Sequence, residues 1–360
     1  MVLDIILIIA FLSATSIQLY FWIFHFSSVL GSTPAALPAA AYDILICAHN
    51  EAENLAAHLP LVARQDLAAN KILVVDHGST DHTIESLTRL RQKISNLKTL
   101  VIARQTPAKK EALMAGLEQV DSEALLLTDA DCTPSTSHWA QLMVSTLGQH
   151  AACVGLAPLR GGRGFVARFA EHESMLAAFQ YGAMAARGKA FMAVGRNLAY
   201  QTKIIRTGLR DATSGFLGGD DDLMINALRK KEALAYCGDP RAVTYSAPPE
   251  TFPAFIRQKQ RHVSTSRAYD LRTKSEIFLF ASSHWFHYLF LLGMLIFGMA
   301  PLGLSIYLFR LVVIYLRYLR TGVPLHGKSL LPWLPLLDFL YSFYYPMLTF
   351  FLLTKPAPRW

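Results

Sequence analysis

Two aspartates one residue apart, Asp129 and Asp131, are the residues best suited to chemistry, and they follow the apolar run 124–127. At this spacing both side chains leave a strand end on the same side, so the two carboxylates can share one cation. Carboxylate oxygens suit hard divalent ions such as Mg²⁺ and Mn²⁺. Strand ends also carry solvated aspartates, and for an Asp-x-Asp pattern taken alone that interpretation stays open.

Other polar candidates follow apolar runs in the same way. Asp76 ends a run of Ile, Leu and Val before a Gly-Ser-Thr turn, where a carboxylate can accept hydrogen bonds from a ribose or base or can cap the turn. Asn50 and Glu51 follow the run 43–48, and a helix cap explains Asn50 almost as well as ligand binding does. The acids 220–222 precede an amphipathic run and would also be favoured there by the helix dipole.

The elements that must position these residues alternate between two periodicities. Apolar runs at 43–48, 71–75, 98–103, 124–128 and 152–157 alternate with helical patterns near 51–64, 81–94, 109–120 and 136–148. This alternation predicts an α/β domain with a mostly parallel sheet and right-handed crossovers. Ligands of such sheets bind beyond the carboxyl ends of the strands, which is where the polar candidates fall. No Gly-x-Gly-x-x-Gly follows the first strand, so the dinucleotide-binding fingerprint is missing.

Long apolar segments at both ends predict membrane spans. Residues 5–24 contain no ionisable group and are long enough to cross a bilayer. A cleaved signal peptide is the alternative, but the segment lacks a basic start and is too long. Three further spans are expected at about 277–299, 301–319 and 331–353. Arg310 and Asp338 fall inside them, and pairing or snorkelling of Arg310 would each satisfy the charge.

Basic residues near the spans predict the orientation. They precede the second span and lie between the third and fourth, which places 25–276 in the cytoplasm. The predicted organisation is a membrane helix at 1–27, a linker at 28–41, a catalytic domain at 42–265 and three membrane helices at 277–354. Residues 161–193, rich in Ala, Met, Phe and Arg, form either a core helix or an amphipathic helix at the bilayer surface.

The net charge and the cysteine content limit which classes of ligand the protein is expected to bind. The formal net charge is +8, but the basic residues are spread along the chain and cluster mainly beside the spans. Anionic lipid headgroups and a diphosphate substrate explain them better than nucleic acid does. The four cysteines show no paired metal-binding spacing and are expected to be reduced.

Four segments, together with the Thr-Asp-Ala-Asp motif at 128–131, resemble family 2 glycosyltransferases, especially the membrane-bound branch that includes ceramide glucosyltransferases and polysaccharide synthases. These segments are 42–55, 72–81, 218–223 and 258–262, and the resemblance covers about 42–265. It implies a GT-A-like (Rossmann-like) domain flanked by transmembrane helices. It also implies an inverting transfer that depends on Mg²⁺ or Mn²⁺.

The resemblance assigns a role to each candidate residue. Asp131 would hold the metal, Asp129 would contact the metal and the donor, and Asp220 would be the general base. The remaining matches are donor-binding Asn50, Glu51, Asp76 and Lys110, and the diphosphate and acceptor residues Gln258, Arg261 and His262. The chain departs from the family pattern at four positions, which are His49, His77, Gly219 and His262.

The predicted protein is an integral membrane glycosyltransferase of a bacterial inner membrane, with a cytoplasmic catalytic domain. It would move a sugar from a nucleotide-diphospho-sugar to a lipid or lipid-linked acceptor. Three alternatives remain at this stage: an inactive scaffold that kept the fold, a subunit of a processive polysaccharide synthase, and a different membrane nucleotidyl- or phosphotransferase. A processive synthase builds its channel from more than three spans after the catalytic domain, so a single transfer is favoured.

Overall fold

A computed structural model of the protein describes residues 2–31, 40–103, 109–212, 220–264 and 269–354. Side chains are described for these residues except 208–212, 220, 261–264 and 352–354. Most of the predicted linker therefore lies outside the described residues. The chain divides into two compact units. The helical unit comprises Met1–Val29, Arg163–Ala183 and Pro249–Ala357, and the sheet unit includes Leu30–Gly162 and Met184–Pro248.

The sheet unit is built on a mostly parallel sheet. Its strands are β1 (Tyr42–Ala48), β2 (Lys71–His77), β3 (Leu97–Ile102), β4 (Ala124–Leu127), β6 (Ala152–Gly155), β7 (Leu198–Gln201) and β8 (Leu234–Cys237), and a separate pair is formed by β5 (Thr133–Pro134) and β9 (Thr244–Tyr245). The order in the main sheet is β3-β2-β1-β4-β7-β6-β8. Strand β7 runs antiparallel to both of its neighbours, whereas the other pairs are parallel. The predicted α/β class with a mostly parallel sheet is confirmed.

Helices connect the strands, as the alternation of periodicities predicts. They are α2 (Ala52–Ala63), α3 (Thr83–Arg91), α4 (Lys109–Glu118), α5 (Trp139–Leu147), α7 (Thr202–Ala212) and α8 (Asp220–Leu228). Strands β1 and β2 are buried almost throughout because helices cover both faces of a parallel sheet. One core lies between the sheet and helices α2, α3 and α5, and it includes Ile44, Val74, Leu126 and Met143. This core fixes the strand ends at which the polar candidates lie.

The helical unit is assembled from three separated parts of the chain. Its helices are α1 (Val2–Ile23), α6 (Gly164–Ala185), α9 (Phe252–Ser264), α10 (Leu271–Ile296), α11 (Ala300–Arg317), α12 (Val323–His326), α13 (Leu334–Tyr341) and α14 (Tyr344–Thr354). A five-residue π-helical segment, Tyr318–Gly322, joins α11 to α12. Among the described residues, three helical stretches are long and apolar enough to cross a membrane: Val2–Ser28, Leu271–Ile296 and Ala300–His326.

The segment 331–353 differs from the single span expected there. It forms α13 and α14, which are separated at Ser342 and Phe343. Pro346 gives the physical reason, since its ring lacks an amide hydrogen and would clash with the carbonyl of Ser342 four residues earlier in a continuous helix. Each helix is too short to cross a bilayer by itself.

The charged residues inside the predicted spans pair with each other. Arg310 Nη1 lies 2.6 Å from Asp338 Oδ2, and Arg310 Nη2 lies 3.2 Å from Asp338 Oδ1. Arg310 Nη2 also donates to Gln18 Oε1 at 3.0 Å, and the Tyr288 hydroxyl donates to Asp338. Arg310 and Asp338 are both fully buried, which excludes snorkelling of Arg310. One ion pair thus links helices α1, α10, α11 and α13.

Helix α6 is a core helix of the helical unit rather than a surface helix. Most of its residues from Ala167 onward are buried. Unusually, the buried set includes Glu171, His172 and Glu173 in succession. Buried ionisable groups require polar partners. Those partners come from α9, α12, α14 and the π-helical segment, as with His172 Nδ1, which lies 2.9 Å from the Tyr318 hydroxyl.

Candidate active site

The polar candidates of the sheet unit gather at the carboxyl ends of three neighbouring strands. Ala48, the last residue of β1, is paired with Asp76 of β2. On its other side β1 is paired with β4, and Leu45 stands opposite Leu127. Asp76 of β2 and Asp129, which follows β4, therefore lie on either side of the end of β1, which Asn50 follows. The sequence-predicted meeting of polar residues at this edge matches the strand register.

Asp129, Asp131 and Cys132 form a group able to hold a cation. One ligand atom from each residue lies within 4.8 Å of the others. The Cys132 thiol lies 3.4 Å from Asp131 Oδ1 and donates to it. Burial raises the pKa of Cys132 well above its usual value, which favours the neutral thiol. The donor set is thus two carboxylates, which fits Mg²⁺ or Mn²⁺ better than a thiolate-seeking metal.

Lys109 is the lysine that pairs with the metal-site acids. Its Nζ lies 2.7 Å from Asp129 Oδ1. Burial acts to lower the pKa of Lys109, but the negative charges of Asp129 and Asp221 outweigh it and the pKa is raised. Lys109 therefore carries a full positive charge beside Asp129. Lys110 was the residue matched to the family motif; its role as a donor contact stays a prediction.

Arg196 is a further charged residue near the acids, and the sequence analysis did not find it. Its carbonyl oxygen accepts from the hydroxyls of Thr128 and Thr244, both at 3.0 Å. Burial, followed by the charge of Asp129, raises the pKa of Asp131, and the guanidinium of Arg196 partly opposes this. A cation at this site would therefore relieve two carboxylates that repel each other.

Asp76 has the properties of a ligand-binding carboxylate. It is fully buried, and one of its oxygens accepts from the Ser79 hydroxyl in the turn that follows. The other oxygen, Oδ2, is buried without a hydrogen-bond partner among the described residues. A buried carboxylate oxygen left without a partner is costly. The Ser79 bond agrees with a turn-stabilising role for Oδ1, and a donor-binding role for Asp76 stays a prediction.

Asn50 connects the end of β1 to the turn after β2 through hydrogen bonds. Its φ of 57° is left-handed, which asparagine tolerates better than most residues. Its side-chain oxygen accepts from Thr80 N at 2.8 Å, and its own amide donates to the Ser79 hydroxyl at 2.8 Å. Glu51, rather than Asn50, is the N-cap residue of α2, and its side chain caps no amide. The polar role of Asn50 is thus to shape the loop over Asp76.

The pKa of Glu51 is influenced by the two acids of the candidate metal site. Burial raises its pKa, and the charges of Asp131 and Asp129 raise it further, against a hydrogen bond from Asn54. Asn54 Nδ2 donates to Glu51 Oε2 at 2.6 Å. The negative charges of Glu51, Asp129 and Asp131 therefore act on one another at this edge of the sheet.

The histidine that departs from the family pattern at position 77 points away from Asp76. Consecutive strand residues face opposite sides of a sheet, and His77 follows Asp76 directly in β2. His77 Nε2 lies 3.5 Å from Glu111 Oε2 on helix α4. His49 Nδ1 lies 2.9 Å from the carbonyl oxygen of His77. The side chains of Asp76 and His77 thus face opposite sides of the sheet.

The three acids of α8 differ in what they contact. Asp222 Oδ1 accepts from Ala193 N at 3.0 Å, and this bond anchors the loop before β7. Asp221 lies against Gly195, and its charge contributes to the raised pKa of Lys109. Asp220, the predicted base, is the first residue of α8, but its side chain lies outside the described residues. Its catalytic role stays a prediction.

Gly195 is required by the close approach of Asp221. A Cβ at this position would lie 2.3 Å from Asp221 Oδ2. We expect Gly195→Ala to displace Asp221 and to weaken donor turnover by about tenfold, since inserting atoms into a packed site costs about 1–3 kcal/mol. Steady-state kinetics would measure this. Gly31→Ala is the matched control because no atom lies within 4 Å of its added Cβ, and equal losses in both variants would contradict the prediction.

The motif predicted to contact diphosphate and acceptor lies on α9, in the helical unit. Gln258 is partly buried, and its Oε1 is buried without a hydrogen-bond partner among the described residues. The side chains of Arg261 and His262 lie outside the described residues. The roles of all three stay predictions.

Part of the chain matches a known protein family. Residues 43–209 match the family described as Glycosyl transferase family 2. This range contains Asn50, Asp76, Asp129 and Asp131. The domain belongs to glycosyl transferase family 2.

Two relatives of the chain are both named as sugar transferases. The chain is 34% identical over 107 residues to Glycosyltransferase AglE of Haloferax volcanii, covering 29% of this chain and 34% of the relative. It is 28% identical over 97 residues to an undecaprenyl-phosphate 4-deoxy-4-formamido-L-arabinose transferase of Serratia proteamaculans, covering 26% of this chain and 30% of the relative. The matches thus span about a third of each relative's length.

The fold of the chain is also found in a solved structure. The mannosyltransferase PcManGT of Pyrobaculum calidifontis superposes with a TM-score of 0.57 at 15% identity, covering 95% of this chain and 98% of that chain. At this identity the likeness concerns the fold alone. The predicted GT-A-like domain with membrane helices is confirmed.

Proposed function

We propose that this family 2 protein is an inverting membrane glycosyltransferase. It moves a sugar from a nucleotide-diphospho-sugar to a hydroxyl of a lipid or lipid-linked acceptor at the cytoplasmic face of a bacterial inner membrane. The observation that carries the proposal is the pairing of Asp129 and Asp131 at the carboxyl end of β4, with ligand atoms within 4.8 Å and Lys109 alongside. Such a site suits a metal-bound diphosphate.

The donor would lie along the edge formed by β1, β2 and β4. Asp76 Oδ2, buried and without a partner among the described residues, would accept a hydrogen bond from the base or ribose. Asn50 and Glu51 would shape the nucleotide side of the pocket, and Lys109 and Lys110 lie at the start of α4, where phosphate would benefit from the helix dipole. The PcManGT structure contains GDP-Man and Mn²⁺, a donor and a metal of the class proposed here.

Asp131 and Asp129 would hold Mg²⁺ or Mn²⁺. When bound, the ion would offset the charge that builds on the departing diphosphate. Asp220 would accept the proton of the acceptor hydroxyl as that oxygen bonds to the anomeric carbon. The bond from this carbon to the diphosphate breaks, and its electron pair leaves with the nucleoside diphosphate. One displacement of this kind inverts the anomeric centre.

The acceptor side of the proposal is supported by the helical unit. Three of its helical stretches can cross a membrane, and α9 carries Gln258, Arg261 and His262. Arginine presents a planar fork of donors that matches phosphate oxygens. The relative from Serratia proteamaculans is named for transfer to undecaprenyl phosphate, which supports a lipid acceptor, although its acceptor group is a phosphate oxygen rather than a hydroxyl.

Sugar transfer by the purified protein tests the proposal. We would incubate wild type and Asp220→Asn in detergent with a panel of nucleotide-sugars, Mn²⁺ and a bacterial lipid extract, and would measure nucleotide release and labelled lipid. We expect labelled lipid from wild type and at least a hundredfold less, about the cost of losing a general base, from the variant. Donor binding without turnover across all acceptors would favour the scaffold alternative. Transfer of the sugar together with a phosphate of the donor would favour a phosphotransferase.

A further inference from the structure

Helix α9 is anchored by a buried ion pair. Lys259 Nζ pairs with Glu173 Oε2 of α6, and the two side chains are 9% and 7% exposed. The Tyr344 hydroxyl of α14 donates to the other Glu173 oxygen at 3.0 Å. Lys259 also lies 5.6 Å from the ring centroid of Phe255 on its own helix. All four residues belong to the helical unit.

Stabilisation of the fold does not by itself explain this buried ion pair. Removing two charges from water costs several kcal/mol each, and apolar residues of similar volume often stabilise a protein as well or better. The ion pair instead fixes the rotation of α9 about its own axis, because Lys259 contacts Glu173 in only one such rotation. Successive residues of a helix are about 100° apart. Fixing Lys259 therefore also fixes the direction in which the side chain of Gln258 leaves the helix.

A second observation concerns Gln258, the neighbour of Lys259. Its Oε1 is buried without a hydrogen-bond partner among the described residues. A buried polar atom held in this way needs a ligand or incurs the full cost of desolvation. The Glu173–Lys259 pair thus holds Gln258 Oε1 where it could accept a hydrogen bond from a substrate hydroxyl.

We propose that the Glu173–Lys259 pair is a positioning element that sets the rotation of α9 for the acceptor step. The inference rests on the proposed function, in which Gln258 and Arg261 meet the diphosphate and the acceptor. Glu173 touches neither donor nor acceptor; it is a positioning residue that acts through Lys259. Tyr344 fixes the carboxylate in turn.

Glu173→Gln tests the positioning role because it keeps the side-chain volume and removes the charge. Displacements of about 1 Å can cost about a hundredfold in rate, so we expect kcat for transfer to fall ten- to a hundredfold. We expect the KM for the donor to stay within about twofold, because the proposed donor residues lie in the sheet unit. Hydrogen exchange should accelerate about tenfold in 252–264 and stay unchanged in α10 and α11.

Two further variants keep the test interpretable if Glu173→Gln folds poorly. Glu173→Gln combined with Lys259→Gln leaves no buried charge unpaired, and two amides can still hydrogen-bond, so this double variant should recover most of the lost kcat. Tyr344→Phe removes one hydrogen bond and should give a smaller loss of the same kind. Glu276→Gln, in the exposed pair with Arg272, is the matched control and should change nothing.

Unchanged kcat and unchanged exchange of α9 in Glu173→Gln would overturn the proposal. Faster exchange spread equally over α9, α10 and α11 would also overturn it, because the pair would then stabilise the helical unit as a whole. A failure of the proposed function is distinguishable from both results. In that case no nucleotide-sugar would turn over in wild type, while exchange of α9 would still report on the anchor.

Discussion

Replacing Asp131 with asparagine should lower kcat for sugar transfer by about 10²–10³-fold, the usual cost of removing one electrostatic contact to a developing charge. The substitution keeps the shape of the side chain but removes one of two negative charges that together suit a divalent ion. The residual rate should also need a higher Mn²⁺ concentration to saturate. Initial rates of nucleotide release across a Mn²⁺ titration would measure both effects.

Asp121→Asn is the matched control for this experiment. Asp121 is exposed and pairs with Lys71 at the start of β2, away from the carboxyl ends of the strands. Exposed ion pairs contribute little, so this variant should keep wild-type kinetics. If Asp131→Asn retained its rate and its Mn²⁺ dependence within about threefold, these carboxylates could not be the metal ligands.

Asp338→Ala should destabilise the protein by about 3–5 kcal/mol, because Arg310 would be left charged and buried without its bidentate partner. The same change removes the acceptor of the Tyr288 hydroxyl. We expect a large loss of folded protein in detergent and a marked fall in Tm. Thermal unfolding followed by intrinsic fluorescence would measure the fall.

The double variant Arg310→Met with Asp338→Leu separates pairing from packing. Apolar residues of similar size can replace a buried ion pair with little loss or a gain in stability, so the double variant should be far more stable than Asp338→Ala. If the two variants were equally unstable, the loss would come from side-chain volume. The unpaired charge of Arg310 would then not be its cause.

The elements around the donor edge were predictable because they repeat a simple pattern. Continuous apolar runs in a parallel sheet stand out against amphipathic helices, and β1 to β4 and α2 to α5 all appear within a few residues of their predicted positions. Strand β7 was not predicted, since four residues that include an alanine and a glutamine, Leu198–Gln201, carry too little pattern. The reversal of one strand is decided by pairing with β4 and β6, which no local pattern encodes.

The candidate site was predictable where a motif follows a strand end and not where it depends on contacts distant in sequence. Asp76, Asp129 and Asp131 are of the first kind. Lys109 and Lys110 are equivalent in sequence, and only the packing of α4 brings Lys109 to Asp129. Arg196 lies in the loop before β7, and its charge acts on Asp131 although the two residues are distant in sequence. A Gly-Arg-Asn run at 195–197, so close to the start of a strand, was the available signal.

The polar bond between Gln18 and the backbone of Phe280 also constrains the biosynthesis of the chain. The donor and the acceptor are 262 residues apart in sequence. At a synthesis rate of about 5–20 residues per second, the first membrane helix waits roughly 13–50 s before its partner emerges from the ribosome. During that interval the final partners of the Gln18 amide are not yet synthesised, so its hydrogen bonds must be made with other groups until Phe280 and Ser283 emerge.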